Sequence, residues 1–407
     1  MPLVTISRTR ALTTSRLLME KFFAPCPRGL EGVLAQELTG LDATSVKTAD
    51  GGVHFEGPFA LCYRVNLESR IASRVLWRVA GSPYKTEDDI FKATLALKWP
   101  QWFDVGNTIR VNLAAVRCPL KSIDFVTLRI KDAVCDAFRA KGGERPNVNT
   151  TTPDVRIHAF LTADQLTLYI DTSGEPLFKR GYRATTGEAP LRENLAAGIL
   201  RLSGWTPPEA LLDPMCGSGT LVIEAALIAL NIAPGAQRSF GFEKLKNFDR
   251  EQWDVLRQAA KAKESPRNGA LPIYGSDLYG DELKNARANI EAAGLLNQIQ
   301  LKQANVLEIP APATSGVIVT NPPYGVRLAE AHELAELYPK LGDALKQRFS
   351  GWRAYIFTGD PQLPKLIRLS ASKRTVLFNG ALECRLLEYK LVAGGMRKVK
   401  PAIEIKS

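Results

Sequence analysis

From residue 210 onward the chain repeats one pattern. A short apolar run ends in a polar or glycine-bearing tip, and a stretch of helical periodicity usually follows. The runs fall at 210–212, 273–276, 299–302, 317–320, 353–358, 375–378 and 385–392. Strands alternating with helices argue a parallel, doubly wound α/β sheet. The last two runs are joined only by 379–384, too short for a crossover, so that pair is expected to be antiparallel.

The N-terminal half has a different texture. Residues 21–80 read as a small α+β unit. A strand at Phe22-Phe23-Ala24 precedes a helix with Leu30, Val33, Leu34 and Leu38 on one face. Asp50-Gly51-Gly52 marks a hairpin, and Pro58 opens a second helix. Residues 81–175 read as a second unit. A strand at 108–116 leads to a helix at 122–139 with Val126, Ile130, Val134 and Phe138 as its stripe, then to two alternating strands around Asp164. Residues 176–190 have linker composition.

With 407 residues, two or three domains are expected; 45% hydrophobic and 23% charged residues is ordinary globular composition. The net charge of +11 suggests a polyanionic partner, but the excess is spread over both halves and singles out no binding domain. Six dispersed cysteines without a C-x-x-C pair, and three histidines, argue against a metal site and for a reducing cytoplasmic setting. No apolar stretch is long enough for a membrane span. Residues 1–20, with Arg8, Arg10 and Arg16, read as a flexible leader or an early start codon rather than a transit peptide. Residues 396–407, with Arg397, Lys398, Lys400 and Lys406, read as a basic tail. Oligomeric state is left open.

Three segments carry chemistry. In Asp213-Pro214-Met215-Cys216-Gly217-Ser218-Gly219-Thr220 an apolar strand runs through Gly-x-Gly into a helix. Such a turn lets a ligand approach the backbone and offers N–H groups at the helix start, though an ordinary β–α turn looks the same. Asp277 ends the next strand, where a carboxylate can hold a ribose diol or simply cap a helix. Thr320-Asn321-Pro322-Pro323-Tyr324-Gly325 is the sharpest signal. Two prolines fix the backbone, the Pro322 carbonyl and the Asn321 side chain offer acceptors, and Tyr324 offers a stacking face. Together they suit a planar –NH₂ group, against a plain Pro-rich turn.

In this order the three segments resemble the amino-methylating branch of class I S-adenosylmethionine-dependent methyltransferases. The resemblance implies a Rossmann-like domain at 191–395 with seven strands, the last antiparallel. It implies cofactor contacts from Asp213, Met215, Cys216, Gly217, Gly219, Asp277, Leu278, Asn305 and Val306, and catalysis by Asn321, Pro322 and Tyr324. It implies no metal. Lys131-Asp132-Ala133, Arg145-Pro146-Asn147-Val148 and the segment from Leu168 to Arg183 resemble THUMP RNA-binding modules and their link to a methyltransferase, with 21–80 like the ferredoxin-like unit before them. Ala189-Pro190-Leu191-Arg192-Glu193-Asn194 resembles the helix that opens the catalytic domain. The chain is most similar to bacterial large-subunit rRNA guanine-N2 methyltransferases. This implies 23S ribosomal RNA or a pre-ribosomal particle as partner, with a tRNA guanine as the alternative. Lys179, Arg180 and Arg183, between the halves, are expected to touch phosphate, or else to be a solvated linker. Far more than the ~20 residues of a compact dinucleotide-type fold separate Asp213 from Asp277. The surplus, 233–272, reads as a substrate-side elaboration or a solvated excursion.

Overall fold

The computed structural model describes residues 19–183, 191–266, 268–323 and 328–392. Tyr324, residues 184–190 of the interdomain linker, residues 1–18 of the leader and the basic tail lie outside the described residues.

The N-terminal half begins β1 (Glu20–Pro25), α1 (Glu31–Gly40), β2 (Thr44–Ala49), β3 (Gly52–Gly57), α2 (Leu61–Glu68), β4 (Leu76–Pro83). It continues α3 (Glu87–Leu95), β5 (Ile109–Ala115), α4 (Ile123–Gly142), β6 (Val155–Leu161), β7 (Gln165–Asp171). The Ser122 hydroxyl accepts from Phe125 N–H to start α4, and Gly143, at φ +82°, lets the chain leave it. Helix α3 was not anticipated; a capping box between Thr86 and Asp89 starts it.

The two N-terminal units share one sheet. β4 pairs antiparallel with β7, giving seven strands in the order β2-β3-β1-β4-β7-β6-β5. Alternation sends Phe22, Phe55, Trp77, Ile157, Leu168 and Ile170 into a common core beneath the helices.

The C-terminal half runs α5 (Glu193–Leu202), β8 (Leu211–Asp213), α6 (Thr220–Ala229), α7 (Arg250–Ala262), β9 (Ile273–Asp277), α8 (Gly280–Ala292), β10 (Gln300–Gln303), β11 (Val317–Thr320), α9 (Leu328–Arg348), β12 (Arg353–Thr358), β13 (Lys373–Asn379), β14 (Leu382–Lys390). Its sheet order is β10-β9-β8-β11-β12-β14-β13. β8 to β12 are parallel; β14 is antiparallel to β13, as the short connection required, and also to β12. The order reverses at β8, so the crevice beyond the carboxyl ends of β8, β9 and β11 is the ligand position.

The extra segment before β9 is neither a substrate-side flap nor a solvated excursion. Its Phe242 ring lies 4.5 Å from Tyr63 of α2 and 5.1 Å from Trp253 of α7. Main-chain bonds join Gly235 N–H to Leu67 (2.9 Å), Phe242 N–H to Thr172 (2.9 Å) and Lys246 N–H to Trp102 (2.8 Å). The segment is an aromatic buttress that fastens the catalytic half to the N-terminal sheet. Packing of α1 against α5, where Leu30 fills the space left by Gly198, and a bond from Phe378 N–H to the Arg28 carbonyl reinforce the junction.

Candidate active site

Register brings the three strand tips to one edge. Leu212 lies opposite Ile318, Asp213 opposite Gly275, and Asp277 opposite Gln303. The β8 tip turns through Gly217 and Gly219 into α6. Gly219 has φ +83°, which disfavours any side chain, and a Cβ there would press 3.2 Å from Ala286 Cβ on α8. A Cβ on Gly217 would meet open space, so this turn faces the crevice. Asn289, on the inward face of α8, donates to the Ser218 carbonyl at 3.0 Å and holds the turn down.

Asp277 lies at the centre of the turn. Its Oδ2 accepts from Gly217 N–H at 2.9 Å and its Oδ1 from Tyr279 N–H at 3.1 Å. The carboxylate thus holds the glycine turn and its own strand tip, and each oxygen keeps lone-pair capacity for a further donor. Leu278 and Tyr279 beside it are exposed apolar surface. The Leu278 carbonyl is fixed by Gln303 Nε2 at 3.0 Å. Val306 is buried, and Asn305 Oδ1 accepts from Leu307 N–H at 3.0 Å, which shapes the adjoining turn.

Asp213 is fully enclosed. Burial pushes its carboxyl up to about 7, and neighbouring Asp277 adds to the rise. The Thr320 hydroxyl, donating at 2.8 Å, and Met215 N–H at 3.3 Å oppose it. Thr320 therefore ties the tip of β11 to the tip of β8. Cys216 is buried beneath the turn, and burial raises its thiol far above the ordinary range, so it is no nucleophile.

Asn321 follows Thr320. Its Oδ1 is buried and has no hydrogen-bond partner among the described residues. Such an acceptor costs about 1–3 kcal/mol unless something donates to it. Pro322 is buried beside it. Sequence reasoning missed Thr320 and Asn289. Asn289 was discernible as a polar residue on the stripe that carries Ala286, Ile290 and Ala293.

The linker cations depart from expectation. The Arg180 side chain is 2% exposed and that of Glu224, on α6, 0%. Arg180 donates to both Glu224 oxygens (3.4 Å each), to the Leu177 carbonyl (2.8 Å) and to the Arg70 carbonyl (2.6 Å). Arg183 donates to Glu193 (2.9 Å) and to Thr220 Oγ1 (3.2 Å). Both brace the start of the catalytic domain, and the Arg180 guanidinium is enclosed. Lys179 is exposed and pairs with Glu175 at 2.7 Å.

Among the described residues no His, Cys, Asp and Glu group could hold a metal, and no helix is long and apolar enough to cross a membrane. The glycine turn, the carboxylate at the second strand tip and the open crevice fit an adenosyl cofactor. Strand order, strand tips and antiparallel last strand define a class I methyltransferase, whose methyl donor is S-adenosylmethionine.

The chain belongs to the family described as the RMKL-like methyltransferase domain, which matches residues 180–388. A THUMP domain matches 84–171, and an RlmL ferredoxin-like domain matches 21–76. A ribosomal RNA large subunit methyltransferase K/L from Shewanella sp. (strain W3-18-1) is 42% identical over 95% of this chain. The match covers 55% of that relative, so the chain spans about half the length of its curated relatives. A putative methyltransferase solved in complex with SAH is 31% identical, with a TM-score of 0.84 over 93% of this chain and 99% of its own. A predicted N6-adenine-specific DNA methylase from Listeria monocytogenes is also 31% identical, with a TM-score of 0.83 over 91% of this chain and 96% of its own.

Proposed function

We propose that the protein methylates the N2 amine of a guanine in 23S ribosomal RNA, with S-adenosylmethionine as donor. One observation carries the reading: a buried side-chain acceptor at Asn321 with no partner among the described residues, directly after β11 and one residue from the tie to Asp213. An exocyclic amine supplies the donor it lacks, and the Pro322 carbonyl would take the second hydrogen. Tyr324 would stack on the base. The kinship with large-subunit rRNA methyltransferases and the THUMP module favour RNA over DNA or protein.

In this reading Asp277 receives the ribose hydroxyls of the cofactor, the Gly217–Gly219 turn receives its amino-acid end, and the edge at Leu278, Asn305 and Val306 receives its adenine. The bound cofactor supplies an electrophilic methyl group. The guanine lone pair is delocalised into the ring, so the protein's task is alignment, together with acceptors that strengthen as positive charge grows on the nitrogen. The methylated ammonium then loses its proton to water. A base paired in a duplex must be unstacked to reach this pocket.

The test is tritiated methyl transfer to unmodified large-subunit rRNA. Asn321→Ala should abolish turnover with cofactor affinity held within a few fold. Full turnover by that variant would remove Asn321 from the chemistry.

A further inference from the structure

With Arg180 enclosed on Glu224, RNA recognition has to draw on residues beyond the linker. We propose that the open face of the N-terminal seven-stranded sheet is the surface on which the substrate RNA lies. The inference rests on the RNA reading above and gives it a location.

Helix α1 packs on β2 and β3, and α4 packs on β5. Outside the register shifts in β2 and β4, side chains between the core positions of this sheet emerge on the opposite face. Their register lines them up. Lys47 of β2 lies opposite His54 of β3, which lies opposite Phe23 of β1 with the rings 4.7 Å apart. In the next row Arg78 of β4 lies opposite Tyr169 of β7, which lies opposite His158 of β6. Phe160, two residues further along β6, is 37% exposed.

Lys47 and Arg78 are exposed, and neither has a carboxylate within 4.0 Å among the described residues. Arg78 lies flat over Gly81, where any Cβ would collide with its guanidinium, so the cation is spread along the sheet. The carboxylates on these strands' open face are Glu56, with Lys21 at 4.0 Å, and Asp171, buried on Arg74. Tyr169 is buried, so the face offers His54, the half-buried Phe23 and Phe160 on a flat support, with Lys47 and Arg78 free of carboxylate partners among the described residues. Single-stranded RNA needs that combination: stacking for bases and positive charge for phosphates. A sheet face turned to water for solubility alone would have no use for the rings.

The experiment measures binding of the full chain to an unmodified large-subunit rRNA transcript across a salt series. Lys47→Glu/Arg78→Glu should weaken binding at least tenfold at 100 mM salt. It should also flatten the log–log salt dependence by about two phosphates' worth. Lys340→Glu/Lys373→Glu, the same charge change on the catalytic half, should stay within threefold. Phe160→Ala should lose several-fold and Phe160→Trp should retain affinity. Melting temperature and SAH binding, measured on each variant, should match wild type. Wild-type affinity and slope in Lys47→Glu/Arg78→Glu would overturn the proposed surface while leaving the RNA reading intact. Failure of the wild type to bind the transcript at low salt would overturn that reading and this inference with it.

Discussion

Replacing Arg180 by alanine should unfold the interdomain junction rather than release a nucleic acid. The guanidinium and the Glu224 carboxylate are withdrawn from water, at 2% and 0% side-chain exposure. Alanine leaves Glu224 with the Tyr182 hydroxyl at 3.3 Å, and strips one donor each from the Leu177 and Arg70 carbonyls. Removing one partner of a buried pair costs about 3–5 kcal/mol, because the remaining charge has lost its compensation. Total stability of a domain is only about 5–15 kcal/mol. Urea unfolding followed by tryptophan fluorescence should show a correspondingly lower midpoint. The double replacement Arg180→Met/Glu224→Leu should recover part of the loss, since it removes the uncompensated Glu224 charge while Arg70 keeps Glu37. A cost below about 1 kcal/mol for Arg180→Ala, accompanied by weaker RNA binding, would refute the structural role and restore the phosphate contact.

The remaining predictions concern the cofactor edge and the buttress. Asp213 is raised from its ordinary 3.8 to about 7, so folding disfavours its charged form. Its contribution is fully present below pH 3.8 and is lost as pH rises through 7, at up to about 1.4 kcal/mol per pH unit. Asp213→Asn should therefore flatten the fall in melting temperature between about pH 4 and 7, and an unchanged slope would contradict this. Asp277→Ala should weaken S-adenosylmethionine binding in calorimetry by about 1–3 kcal/mol, and unaltered affinity would mean the ribose carboxylate lies elsewhere. Trp253→Ala should cost about 3–5 kcal/mol in denaturant unfolding, because the ring is buried against Phe240 and Phe242. A solvated helix would lose almost nothing.

The strands and tips of the catalytic sheet could be read because each is a local signal: an apolar run, then glycine, aspartate or Asn-Pro-Pro. The antiparallel last pair followed from a connection too short to cross over. Pairings between distant segments left no such trace. Nothing in 76–83 or 165–171 announces that these strands meet and merge two small units into one sheet. Phe242, Phe248 and Trp253 follow no helical or strand period, so their convergence on Tyr63 was hidden, and the charged residues around them suggested solvent. Arg180 and Arg183 looked like surface cations because Glu224 lies far off in sequence and Glu193 across the linker. A buried arginine differs from an exposed one only by a partner that folding supplies. Thr86 and Asp89 did carry a local cap signal for α3, but its short stripe was too weak to stand out.

The central claim is that Asn321 and Pro322 present a guanine N2 amine to the methyl donor. The most direct test is to methylate 23S rRNA from cells lacking the protein, digest it, and identify the product nucleoside by mass spectrometry. The account predicts N2-methylguanosine from the wild-type chain and none from Asn321→Ala. Recovery of N6-methyladenosine, or of methyl groups in protein alone, would contradict it.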